Sequence, residues 1–72
     1  MKPLNPRQRQ IMQHVADGYT NEQIGEAVGI SVMTVKNTLT MIYKKMGARN
    51  RAHAATIFTL YDGRFIERAE DV

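Results

Sequence analysis

From Thr20 to Met46 the chain carries a short helix-forming segment, the turn Val28-Gly29-Ile30-Ser31, and then a long segment free of glycine and proline. Each turn residue has a distinct physical job. Gly29 supplies a backbone conformation that side chains resist, Ile30 offers an apolar plug for the angle between two helices, and Ser31 caps the helix that follows. Beyond Ser31, at 100° per residue, Val35, Leu39, Ile42 and Met46 form one stripe, while Met33, Asn37, Thr40 and Lys44 point the opposite way. Two helices joined by so short a glycine turn form a helix-turn-helix, with one face of the second helix in a core and the other free.

The rest of the chain must complete that core. Asn5 is a good N-cap, Pro6 stands where proline is favoured at the first helical position, and Gln8 completes a capping box. These signals predict a helix over about 6–17 with Ile11, Met12, Val15 and Ala16 on one face, stopped by Gly18. Thr20 and Gln23 repeat the box and open a helix over 21–28 that carries Ile24, Ala27 and Val28 inward. The long third helix spans 32–46 and closes at Gly47. Asn50 caps a fourth over 51–61 with Ala54, Ala55, Phe58 and Tyr61 inward, and Asp62-Gly63 stops it, leaving a short charged tail over 64–72. The expected fold class is all-α: one compact four-helix domain over residues 1–72, with no repeat or linker.

Charge is segregated along this framework. The net charge is +3, yet residues 1–30 sum to zero and residues 52–72 to −2. All the excess lies between Ser31 and Arg51, where Lys36, Lys44, Lys45, Arg49 and Arg51 meet no acid. Such a segment is the electrostatic footprint of a polyanion-binding face, with a solvated basic helix side as the plainer alternative.

Other function classes find little support. The absence of cysteine excludes disulfides and thiolate metal sites, and His14 and His53 stand too far apart in sequence to suggest a metal site. Ser31 is occupied as a cap and lies in no Gly-x-Ser-x-Gly elbow, so the chain reads as no enzyme and needs no cofactor. Without a signal-peptide pattern or an apolar run near the roughly 18 residues of a membrane span, it reads as soluble and cytoplasmic, with no membrane partner.

At this point the sequence resembles the LuxR/GerE-type helix-turn-helix domains. The resemblance is carried by Leu4-Asn5-Pro6-Arg7-Gln8-Arg9, by Gly18-Tyr19-Thr20-Asn21-Glu22-Gln23-Ile24, by Gly29-Ile30-Ser31 with Thr34-Val35-Lys36, by Ile42-Tyr43-Lys44-Lys45-Met46-Gly47, and by Arg49-Asn50-Arg51-Ala52-His53-Ala54. It implies a four-helix DNA-binding domain whose third helix reads DNA and whose fourth is often used in dimerisation. It also implies that Lys36, Asn37 and Thr40 reach base edges; the wheel separately sets Asn37 and Thr40 on the free face and Lys36 at its flank. The chain departs from the family pattern at Thr38, where histidine is common, at Gln8, where glutamate is usual, and around Tyr61-Asp62-Gly63, which runs one residue longer.

The expected function is therefore sequence-specific binding of double-stranded DNA to regulate transcription, with helix 32–46 in the major groove. Asn37 either presents its amide to adenine or makes a phosphate or water-mediated contact. Lys44, Lys45, Thr20, Asn21, Ser31 and Thr34 are the expected phosphate contacts. Met33 reads as a gap-filling side chain in preference to a reader of thymine methyls. Arg51 binds phosphate, pairs with an acid or steadies the fourth helix. His53, Ile57 and Leu60 form a second ridge on helix four, which a homodimer would cover. Rival readings are a sigma-factor-like domain acting with RNA polymerase and a protein-interaction module built on the basic helix. As a regulator, the chain is either complete in itself or the effector part of a longer protein.

Overall fold

The computed structural model describes residues 3–61, so the expectations for Asp62-Gly63 and the tail over 64–72 lie outside the described residues. Four helices account for most of that span: α1 (Pro6–Ala16), α2 (Asn21–Val28), α3 (Val32–Met46) and α4 (Arg51–Tyr61). The chain is all-α among the described residues, and no helix there is long and apolar enough to cross a membrane.

The caps set the helix starts. Asn5 accepts from the Gln8 amide at 2.8 Å while the Gln8 side chain accepts from the Asn5 amide at 2.9 Å, and Thr20 and Gln23 reproduce the exchange at 3.1 and 2.8 Å. At α4, Asn50 Oδ1 accepts from the His53 amide at 2.8 Å. Each exchange satisfies donors that a helix N-terminus leaves orphaned. α1 ends one residue before the sequence expectation: Asp17 is its C-cap, because Gly18 turns left-handed at φ +90° and the Tyr19 amide returns to the His14 carbonyl at 3.0 Å.

α1 packs chiefly on α4 and α2 on α3, with α1–α2 and α3–α4 contacts joining the pairs. Between them lies one core of Ile11, Met12, Val15, Ile24, Val35, Leu39, Ile42, Met46, Ala54 and Phe58. The α3 stripe is buried as its periodicity predicts. Ala16, Val28, Ile30 and Ala55 are half-buried and pack against the core.

Two expected inward residues are exposed. Ala27 faces solvent because the buried side of α2 is centred on Ile24 and Gly25, which rotates Ala27 out. Gly25 creates that rotation by letting the backbone itself into the contact: a Cβ there would stand 2.7 Å from the Ile30 carbonyl oxygen. Tyr61 is 39% exposed, since the contribution of α4 to the core ends at Phe58, a turn earlier.

The angle between α2 and α3 is set by the turn that Gly25 receives. Gly29 adopts φ +83°, and the amides of Gly29 and Ile30 both donate to the Gly25 carbonyl, at 2.8 and 3.0 Å. α3 leaves this turn at a fixed inclination. Its inner stripe is then seated in the core and its outer face is held outward.

Candidate nucleic-acid interface

Met33, Lys36, Asn37, Thr40 and Lys44 are all exposed on α3, as a helix with one buried stripe requires. The structure therefore brings the three expected base-reading residues together. Lys36 and Asn37 extend from the second turn, and Thr40 donates its hydroxyl hydrogen back to the Lys36 carbonyl at 3.1 Å. That bond commits the Thr40 proton to the helix and leaves the oxygen of this exposed residue able to accept.

Around this face the expected phosphate contacts fall into two groups. Ser31 and Thr34 mark the start of α3, where the Ser31 oxygen accepts from the Thr34 amide at 3.1 Å and the two hydroxyls share a hydrogen bond of 2.9 Å. A capped N-terminus still presents first-turn N–H groups and the positive end of the helix dipole, a good setting for phosphate. Lys44 is exposed at the other end of α3. Lys45 is half-buried, and its ammonium donates to Gln8 Oε1 at 2.8 Å. Gln8 is itself buried, so its side chain both caps α1 and anchors α3.

Thr20 and Asn21 sit where α2 begins, beside a shallow depression that Lys36, Arg51, Val32 and Glu22 also line. Arg51 organises this corner. Its guanidinium donates to Asn21 Oδ1 and to the Tyr19 carbonyl, both at 2.6 Å. With its oxygen held, the Asn21 amide keeps its two N–H donors for another acceptor. Burial pushes the Tyr43 hydroxyl above its ordinary pKa, while the charge and hydrogen bond of the adjacent Arg51 pull the other way. Tyr43 therefore stays neutral at ordinary pH.

The loop that Arg51 grips is braced from its far side as well, since the Tyr19 ring stacks on His14 with centroids 4.6 Å apart. The sequence left Arg51 a phosphate contact, a pairing with an acid or a local role in the fourth helix; the structure instead displays a long-range anchor of that helix whose partners are a carbonyl and an amide. No acid takes part in those two bonds. Sequence reasoning missed this clasp, and missed Gln8 as a tertiary contact. The Arg49-Asn50-Arg51 motif was the only local signal for the first, and Gln8 was already explained by its cap.

Met33 was expected to fill a gap, and it fills none: it is 62% exposed. Thr38, at the position of a common family histidine, is half-buried. On α4, His53 and Ile57 are half-buried, with Ile57 packed on the core and His53 Nδ1 accepting from the Arg49 amide at 3.0 Å. Leu60 stands open at 53% exposure. The expected dimer ridge is thus anchored at two positions and exposed at the third.

Comparison with known proteins joins these observations to a family. Residues 2–58 match the GerE family, described as bacterial regulatory proteins, luxR family. The chain is 38% identical over 60 residues to YhjB of Escherichia coli, an HTH-type transcriptional regulator by name, an alignment covering 83% of this chain and 30% of YhjB. It is 40% identical over 57 residues to SgaR of Hyphomicrobium methylovorum, covering 79% and 27%, and 43% identical over 51 residues to DegU of Brevibacillus brevis, covering 71% and 22%. Both of those carry the name transcriptional regulatory protein. The chain spans less than a third of the length of these relatives. No solved structure matches it at a significant level. With its family match running through the first three helices and into the fourth, the chain belongs to the luxR family of bacterial regulatory proteins.

Proposed function

We propose that this chain binds double-stranded DNA at preferred sequences and thereby regulates transcription, with α3 in the major groove and α2 bracing it across the backbone. The observation that carries the reading is the outer face of α3, where Lys36, Asn37 and Thr40 are exposed together in a stretch from Ser31 to Arg51 that holds five cations and no acid. Lys36 donates to guanine, Asn37 meets adenine or a phosphate, and Thr40 accepts through its free lone pairs. Thr20, Asn21, Ser31, Thr34, Lys44 and Lys45 hold phosphates and set the register. Catalysis has no part in this function, which is exercised in the cytoplasm.

The regulator acts as a homodimer on DNA, through His53, Ile57 and Leu60 of α4, and binds an inverted repeat whose half-sites lie about 10 bp apart. RNA polymerase is the partner of the sigma-factor-like alternative, and co-purification with it would favour that reading. Selection from a random duplex pool tests the primary reading: a preferred sequence should emerge, and its affinity should fall steeply with salt as counterions are released. Equal affinity for all sequences, or indifference to salt, defeats it. For the dimer, Leu60→Glu should abolish cooperative binding to two half-sites while leaving one half-site bound as before; undiminished cooperativity removes α4 as the interface.

A further inference from the structure

We propose that Met33 is a specificity residue that packs against the C5-methyl groups of thymine in the bound DNA, an inference that rests on α3 lying in the major groove. Met33 lies in the first turn of α3, on the side opposite the core stripe of Val35, Leu39, Ile42 and Met46, and is 62% exposed.

Its neighbours set what it meets. Met33, Asn37 and Thr40 follow one another at i, i+4 and i+7, so a surface that receives Asn37 and Thr40 also receives Met33. The N-terminal turns of a recognition helix are those that reach base edges. Along the major groove, guanine, cytosine and adenine edges present hydrogen-bonding atoms, and the thymine methyl is the apolar feature. A flexible thioether chain offers that methyl a contact, and it offers nothing comparable to a carbonyl or an exocyclic amine.

Met41 provides the internal contrast. It is nearly as exposed, at 59%, but lies two turns further along and is rotated about 80° from Met33, off the line of Lys36, Asn37 and Thr40. Exposure alone would make the two methionines equivalent. Position on the reading face separates them.

The test begins with a preferred duplex selected from a random pool by the wild-type chain. Each thymine in it is replaced in turn by deoxyuridine, which removes only the C5-methyl and keeps every pairing and groove hydrogen-bond group. Wild type should lose about threefold to tenfold in affinity at one or two positions, the order expected when one methyl group is no longer removed from water. Met33→Ala should bind the thymine and uracil versions of those positions equally, Met33→Leu should keep the preference, and both should melt with the wild type because the site is exposed. A preferred sequence lacking thymine, or discrimination that survives in Met33→Ala, overturns the proposal alone. A pool that yields no preferred sequence overturns the groove reading and this proposal together.

Discussion

On α3, Val35, Leu39, Ile42 and Met46 are 0–6% exposed, whereas Met33, Lys36, Asn37, Thr40 and Lys44 on the other side stand in solvent. The same helix thus carries two sequences with different requirements. Inner residues are selected by volume and apolarity, because each must fit among neighbours from α1, α2 and α4. Outer residues stand in solvent, and apart from the Thr40 hydroxyl, which donates to the Lys36 carbonyl, their choice is not dictated by packing in the core. Asn37 makes the contrast concrete: it is a poor helix former in mid-helix, and its exposure means that packing does not explain it.

If the two faces are separate in this way, mutations should sort cleanly between stability and binding. Val35→Asp should have the largest effect, since it buries a charge without a partner in a site that is 0% exposed. A cost above about 4 kcal/mol is expected, enough to unfold a domain of this size. A cooperative thermal transition close to that of wild type would show that the inner stripe is wrongly assigned.

Arg51→Ala sharpens the comparison because Arg51 meets α3 at Tyr43, which belongs neither to the buried stripe nor to the expected reading face. It removes the bonds to Asn21 and Tyr19 and the hydrogen bond to Tyr43, and should cost about 2–3 kcal/mol of stability. Binding at the corner of α2 should weaken as well, because Asn21 is then free to turn away. Equilibrium urea unfolding measures the first effect and DNA titration of the still-folded fraction the second. A variant as stable as wild type would reduce the clasp to a surface contact.

Lys36→Ala should have the smallest effect on stability, under about 0.5 kcal/mol, as an exposed side chain away from the core. Its effect should appear in site-specific affinity, with a loss of about 1–3 kcal/mol on the preferred sequence and much less on unrelated duplex. Titration against both duplexes distinguishes the outcomes. A uniform loss would move Lys36 from base reading to phosphate contact.

Helix positions were legible because their determinants are local. Asn5 with Gln8, Thr20 with Gln23, Ser31 before Thr34, and Asn50 before His53 each complete a cap within three residues, and all four helices begin where those signals place them. The two faces of α3 followed from periodicity alone, since the period of a helix is a property of the backbone. The positions expected to read bases were therefore on a common exposed surface before any tertiary contact was known.

Contacts distant in sequence were decided only by the assembled fold. Lys45 reaches Gln8 across 37 residues and Arg51 reaches Asn21 across 30, and nothing near either residue specifies the other. Gly25 shows the same limit from another direction. In the sequence it is a weak point in a short helix; in the structure it is where the Ile30 carbonyl comes so near that a methyl group would collide with it. The wheel measures the direction of a side chain, and a residue buried by its backbone has none to measure. Caps and periodicity act within a few residues and are written into the chain, whereas the depth of a contact and the identity of its partner exist only once separate helices share one core.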